Sequence, residues 1–486
     1  MRRTVRRAAG FASGVAQGRR GRSALALAFC RAVAGCAAIV AVAAALCPLA
    51  ASATSAAPEE GGDFVRVGLY YGEKAPASCT VYSESGFILG VMANGGFQEG
   101  MPLPAYTQLT FSVNGGYTAV HAEGVLVSDD FGGGNCVMPY DYASGGLVQY
   151  EKGAFYRGGL SFAASTGNRL TVVNYLSAEA YLYGVIDAEM GYKSPLEALK
   201  AQAVVARSFA AGNAGLHGDD GFDLCTTTHC QVYRGYGGEH AETNAAVDGT
   251  AGIKLYHQGQ AASGYYFKNS GGHTQNSEDV WNGKEAYLRG VRDEYAPEYA
   301  WSWTASTREL RAKLAESGRD PGEIRSVSIS ARNVNGSVRT LKISGAAGAV
   351  TLEKEQIRTV LGATAIKSLR FTLNDGAQAP SDVYVTDGTF TGKIQAEAFA
   401  VSAGADAARP LLVKDARFQG ASALSEPGGA GAGTGESASG ESIVFSGNGY
   451  GHGVGMPQDS AIEMAKQGFT YAEIINKYFT DVEIRQ

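Results

Sequence analysis

The chain has 486 residues, 45% of them hydrophobic and 18% charged, with 41 lysines and arginines against 47 aspartates and glutamates. Eight of the arginines and none of the acidic residues fall in the first 57 residues, so the remainder carries 33 cations against 47 anions, a net charge near −14. Such a surface repels phosphate backbones and anionic headgroups, which excludes nucleic acid as a partner and suits a neutral or locally recognised polymer.

The opening carries eight arginines between Arg2 and Arg31, then an alanine-rich apolar run from Ala32 to Leu49 and small residues at Ala51-Ser52-Ala53. That order is the layout of a signal peptide over residues 1–57. The run is also close to the roughly 17–25 residues that cross a bilayer, so a retained membrane anchor is the alternative. In either case the rest of the chain is expected outside the cytoplasm, secreted or held at the cell envelope. Val33-Ala34-Gly35-Cys36 resembles a lipid-attachment box, but most of the apolar run follows it rather than precedes it.

Residues 62–160 read as a β-rich N-terminal domain. Short apolar runs (Val65 to Tyr70, Gly86 to Val91, Leu109 to Val113, Ala119 to Val127) are separated by Gly, Asn and Asp turns. A helical segment follows from Ser177 to about Ala214, then mixed strands and loops to about Trp303. A helix over Thr307 to Ser317 leads into strands at Val327 to Ser330 and Arg339 to Ile343. Ser425 to Ser442 is a Gly/Ser/Ala-rich linker inside a larger insertion at about 375–442. The end, Ile443 to Gln486, reads as a strand and two short helices. The fold class is α+β, a central helical hairpin packed with antiparallel sheets.

Ser177 is placed to cap a helix through Leu182, Val185, Ile186 and Glu189, and helical spacing puts Glu189 on the same apolar face. A carboxyl buried without a counter-charge has a raised pKa, which a general acid working near neutral pH requires; a salt-bridged structural glutamate is the alternative. Ser194, Pro195 and Glu197 form a capping box for a second helix, on which Lys200, Ala203, Val204 and Arg207 share one face. Solvation of both cations is the plain expectation there.

Of seven cysteines, Cys30, Cys36 and Cys47 lie in the leader, leaving Cys79, Cys136, Cys225 and Cys230. In an exported protein an even set suggests disulfides, with Cys79 and Cys136 as one candidate pair. Cys225, His229 and Cys230, with His217 eight residues before Cys225, also have the ligand types of tetrahedral zinc. A Cys225–Cys230 disulfide is the alternative. In Gly447 to Gly455 every second residue is glycine, so an extended segment would present a bare face opposite Tyr450 and His452. Ser270, Gly271, Gly272 and His273, then Ser277, Glu278 and Asp279 before Trp281, suit either carbohydrate recognition or an ordinary packed loop.

The stretch from Leu176 to Phe209, LSAEAYLYGVIDAEMGYKSPLEALKAQAVVARSF, resembles the signature of the stage II sporulation protein D (SpoIID/LytB) family. CQVYRG (Cys230 to Gly235), NSGGHTQNSEDVW (Asn269 to Trp281) and GYGHGVGMPQ (Gly449 to Gln458) match further family segments in order, making 161–486 the catalytic region. The resemblance implies a lytic transglycosylase that cleaves the N-acetylmuramic acid to N-acetylglucosamine bond in peptide-stripped glycan strands, with Glu189 as its single acid/base, in wall remodelling or sporulation. In a groove for that strand, Lys200, Arg207, Ser270, Glu278, Tyr450, His452 and Gln458 are the candidate glycan contacts, with the lactyl carboxylate of a peptide-free muramyl unit as the partner expected for Lys200 and Arg207. For a subset of members the resemblance implies a zinc ion at the His/Cys cluster, here His217, Cys225, His229 and Cys230, in a structural role. Because the family includes enhancers of wall amidases, a non-catalytic glycan-binding partner of an amidase is the alternative. Pro457, Asp459 and Ser460 depart from the family's Ser-Gln and Gly-Ala pattern, which bears on how the last segment meets glycan.

Overall fold

The computed structural model describes residues 64–93, 96–132, 134–375 and 436–486, with the further strands Val383–Thr386, Thr391–Ile394, Phe418–Gly420 and Ala423–Ser425. The leader expected over 1–57 and most of the linker expected over 425–442 lie outside the described residues.

Alternating apolar and polar residues between glycine turns fold residues 64–177 as antiparallel strands. The expected runs become Phe64–Tyr70, Phe87–Ala93 and Gln108–Asn114. The run expected from Ala119 to Val127 is instead two strands, Tyr117–Ala122 and Val125–Ser128. Glu123 and Gly124 both take positive φ, 47° and 88°, and reverse the chain between them. Among the described residues, Phe64–Tyr70 lies in a seven-stranded sheet between Leu224–Cys225 and Arg169–Ser177, and Gln108–Asn114 lies in a six-stranded one. The two sheets share a core in which Phe111 stacks on Phe162 with centroids 3.8 Å apart.

Cys79 and Cys136, expected as a pair, are both free and buried. They belong to different sheets: Cys136 packs over Gly159 of the adjoining strand, while burial, with the Glu151 charge nearby, pushes the Cys79 thiol up to about 12.

Arg169–Ser177 pairs with the strand Gly159–Ser165 in the first sheet and runs directly into helix α1 (Ala178–Met190). Ser177 caps it as expected, accepting the Ala180 amide at 3.2 Å. Helix α2 (Leu196–Gly212) begins without the expected capping box. The Ser194 hydroxyl donates back to the Met190 carbonyl, Pro195 takes the N-cap position, and Glu197 pairs with Lys200 at 2.8 Å. Helix α3 (Ala241–Asp248) packs against both.

From Ala198 to Ala210 nearly every residue of α2 is buried, so a cation on it must be paired. Arg207, only 1% exposed, grips Glu179 of α1 with Nε and Nη2 on one edge of its guanidinium, at 2.9 and 2.6 Å, and donates from Nη1 to the Ile253 carbonyl at 3.0 Å. Glu179→Ala would strand that buried charge. We expect a loss of about 3 kcal/mol in urea denaturation, greater than for removal of an exposed pair.

A second core, among the described residues, gathers Trp301, Leu310, Leu341, Ile357 and Phe445. The short helix α4 (Ser277–Val280) puts Val280 into the first core; the second is built from the strand Ala300–Ser306, helix α5 (Thr307–Glu316), the strands Ile324–Arg332 and Val338–Gly345, helix α6 (Gln356–Leu361), and the strands Phe371–Asp375 and Ser442–Asn448. The chain then adds α7 (Gln458–Lys466), α8 (Tyr471–Tyr478) and a closing strand, Glu483–Arg485. The mixture of helices and antiparallel sheets is the α+β class expected from sequence. Among the described residues no helix is long and apolar enough to cross a membrane.

The glycine-rich segment departs from its expected extended form. The strand stops at Asn448, and Gly449, Gly451, Gly453 and Gly455 take φ of 91°, 120°, 87° and 80°. These glycines are required by backbone conformation, and also by contact. A Cβ at Gly449 would meet the Asn269 carbonyl at 2.9 Å, and one at Gly451 the Phe267 Cβ at 2.7 Å.

Candidate active site

Leu182, Val185 and Ile186 of α1 are fully buried, and the same face carries Glu189 inward in the last turn to a half-buried position. Its carboxylate accepts the Val232 amide at 2.8 Å and the Gln458 side-chain amide at 3.5 Å, and the Tyr266 hydroxyl also addresses it. Burial raises the Glu189 pKa, and these neutral donors only partly offset it.

The donors come from three separate segments. Val232 lies in the CQVYRG loop, which α1 admits because Gly184 has no side chain: a Cβ there would stand 2.6 Å from the Tyr233 ring. Tyr266 lies in Tyr266–Phe267, a strand parallel to Met456–Pro457, and Gln458 opens α7. Pro457 is extended and pairs with Phe267, so the departure from the family pattern still delivers Gln458 to Glu189.

Behind them lies a relay in which Tyr181 and Gln231 are fully buried and Tyr266 partly so. The Tyr181 hydroxyl donates to the Gln231 carbonyl oxygen at 3.1 Å, and the Gln231 amide donates to the Tyr266 hydroxyl at 3.1 Å, which leaves the Tyr266 proton for Glu189. Burial, with the Glu189 charge beside it, holds the Tyr266 phenol well above its ordinary value, so it stays a donor. Gln231 and Val232 were visible in sequence only as letters of a motif, and Tyr266 only as one of three successive aromatics. No sequence period marks a residue whose role depends on a distant carboxylate.

The other sequence candidates separate. Ser270 is buried and donates to Asp293 at 2.6 Å, as do Ser460 at 2.7 Å and Tyr478 at 2.9 Å, so it joins the loop to α7 and α8. Glu278 forms a two-point pair with Arg289, whose hydrogen bonds hold its carboxyl down at about 2. Tyr450 lies 5.7 Å from Tyr299, with Lys367 over both rings. His452, expected to face a sugar, is turned inward among Tyr265, Phe267 and Trp281. Its Nε2 donates to the Tyr266 carbonyl, its Nδ1 accepts the Val454 amide, and burial lowers its pKa to about 3, so it is a neutral packing residue. Lys200 and Arg207, expected to reach a substrate carboxylate, are committed to Glu197 and Glu179.

His217, Cys225, His229 and Cys230 do come together, their ligand atoms all within 4.8 Å of one another, and both thiols are free. His217 Nε2 lies 3.3 Å from His229 Nδ1; Cys230 Sγ lies 3.5 Å from each of these nitrogens, and Cys225 Sγ 3.8 Å from His229 Nδ1. A tetrahedron with metal–nitrogen distances of about 2.0–2.1 Å and metal–sulfur distances of about 2.3 Å has edges of about 3.3–3.8 Å, so the donor set fits zinc. His217 turns its other nitrogen to Asp220 at 3.4 Å, the carboxylate support common behind a metal-bound imidazole. Cys230 directly precedes Gln231 and Val232, which tie this cluster to Glu189.

Residues 166–257 match the family described as stage II sporulation protein, and residues 274–393 match a domain of unknown function, DUF8618. An uncharacterised protein of Brachyspira hyodysenteriae is 28% identical over 335 residues, 68% of this chain and 73% of that one. The amidase enhancer of Bacillus subtilis is 27% identical over 304 residues, 61% of this chain but only 39% of its own length. The stage II sporulation protein D of Bacillus amyloliquefaciens is 26% identical over 336 residues, 65% of this chain and 76% of that protein. The matched segment spans both helices and the cysteine-histidine cluster, so residues 166–257 carry the stage II sporulation protein domain, and the chain is similar to stage II sporulation protein D over 65% of its length.

Proposed function

We propose that the chain is an exported lytic transglycosylase that cuts peptide-stripped peptidoglycan strands between N-acetylmuramic acid and N-acetylglucosamine. The observation that carries this reading is Glu189: half-buried, raised in pKa, and held by neutral donors from three segments. The similarity to the stage II sporulation protein D family supports a cell-wall role, and lytic transglycosylation is the activity known for that family.

Protonated Glu189 gives its proton to the glycosidic oxygen as the bond to the muramyl anomeric carbon breaks. The carboxylate so formed takes the proton of the muramyl C6 hydroxyl, whose oxygen bonds to the anomeric carbon. A 1,6-anhydro end results, Glu189 is protonated again, and no water is consumed. Two-carboxylate hydrolysis would need a partner. Asp187 is engaged by the Tyr192 amide at 2.7 Å, and Glu278 by Arg289, so neither is placed for that task. Zinc at His217, Cys225, His229 and Cys230 would supply a cross-link, because four protein ligands leave no position for an activated water.

Removing a donor to the charged form raises a carboxyl pKa further. Tyr266→Phe is therefore expected to move the alkaline limb of the activity profile to higher pH; a limb that stays in place would remove Tyr266 from the account. A second reading rests on the similarity to the amidase enhancer: the chain binds glycan and stimulates an amidase without cutting. Purified protein offered peptide-free and peptide-bearing strands, each with and without a wall amidase, separates the two. Soluble fragments from peptide-free strands without amidase support the lyase, and fragments only when amidase is present support the enhancer.

A further inference from the structure

A cleft of about 520 Å³ opens where the Gly271 loop, the Gly447-Asn448 end of a strand, and the strand Phe371–Asp375 meet. Its size is within the range of small-ligand sites. Two arginines line it. Arg332 is paired with Glu436 at 2.8 Å. Arg370 is not paired: Nε donates to the Gly271 carbonyl at 3.1 Å and Nη1 to the Asn335 carbonyl at 2.8 Å. Among the described residues no carboxylate meets it and Nη2 has no partner. Burial, and Arg332 nearby, lower its pKa, so the site holds an uncompensated cation at some cost. Thr372 and Ser446 add hydroxyls to the same wall, and Glu298 stands exposed on the lining.

A guanidinium fixed by two carbonyls with one edge left open is preorganised for a carboxylate. The segments that form the cleft also lead to the Glu189 site. Gly271 is five residues from Tyr266, at most about 18 Å of chain, and Asn448 is ten residues before Gln458. Along that segment the cleft and Tyr266 are therefore separated by no more than about 18 Å, a distance that a polymer of several sugars spans.

We propose that the Arg370 cleft binds a carboxylate carried by the glycan strand, as a second contact with the substrate at a distance from Glu189. This rests on the glycan reading above. The chemistry has two sources, the lactyl carboxylate of a peptide-free muramyl unit and the terminal carboxylate of a remaining stem peptide.

The test is binding of soluble glycan oligomers to the full chain carrying Glu189→Gln, which holds substrate without consuming it. The probes are peptide-free oligomers, the same oligomers with their carboxylates converted to amides, and peptide-bearing oligomers. Loss of a charge-assisted hydrogen bond is expected to weaken binding about tenfold. Arg370→Gln and amidation should each do so, and the two together should do no more than either alone. A larger Arg370→Gln effect on peptide-bearing than on peptide-free oligomers assigns the carboxylate to the peptide; the reverse assigns it to the lactyl group. Equal affinity for native and amidated oligomers, or additive losses, overturns the proposal, as does the absence of glycan binding.

Arg370→Lys keeps the charge but not the fork and should lie between the two, and thermal melting checks that each variant is folded. Should Arg370→Gln not fold, amidation with the native arginine still decides. Coupling between Arg370 and the carboxylate in a protein that cuts no strands would leave the cleft standing and remove the lyase. Strand cutting without coupling would do the opposite.

Discussion

Glu189→Gln is expected to slow glycan cleavage by about 10²–10⁴-fold, the usual contribution of a positioned acid/base, and to raise the melting temperature at neutral pH. Both follow from the same burial. The folded-state pKa of Glu189 lies above its unfolded value, chiefly because burial disfavours the charge. The folded form therefore holds its proton more tightly, and ionising this carboxyl costs stability as pH rises from the unfolded pKa through the folded one. Glutamine avoids that cost and still accepts the Val232 amide. Its stabilising effect should be absent in acid and fullest above the folded pKa. A melting temperature lowered at neutral pH and unchanged in acid would mean that the carboxylate is a structural anion. Activity should fall over the pH range in which the gain in stability appears, because the reaction begins from protonated Glu189.

The second large effect concerns the cysteine-histidine cluster. Purified protein is expected to hold one zinc per chain, and Cys230→Ser or a strong chelator to lower the melting temperature by about 10 °C or more. Four of the distances between the ligand atoms are already those of a tetrahedron, so little of the binding energy is spent on bringing the ligands together. Activity should fall with the metal, since Cys230 anchors the loop that presents Gln231 and Val232 to the Glu189 site. Protein free of zinc, with four titratable thiols and indifferent to chelator, would contradict the metal site.

Much of this arrangement was legible in the sequence because it is local. The Ser177 cap, the apolar face of α1 and the grouping of Cys225, His229 and Cys230 depend on spacings within about 15 residues, where helical and strand periods hold. What failed depended on long-range contact. Arg207 shares a face with Lys200, as periodicity required, yet the spacing gave no sign that Glu179, 28 residues earlier, would meet it. The alternating glycines suggested an extended segment, whereas each positive-φ glycine packs against residues between 265 and 275, almost two hundred positions away. His452 was visible as a polar residue among glycines, but only the fold turned it inward between Phe267 and Trp281. Tyr266, Gln231 and the Val232 amide gave no signal of a role, because that role exists only once three segments have closed around one carboxyl.

The central claim is that one carboxyl group cleaves the strand without water. Its most direct test is digestion of peptide-free glycan in water enriched in heavy oxygen, with mass analysis of the new muramyl ends from the wild type and from Glu189→Gln. The expected ends are one water lighter than reducing ends, carry no heavy oxygen and are absent in the variant. Reducing ends labelled with heavy oxygen would show a hydrolase with a second catalytic group and contradict it.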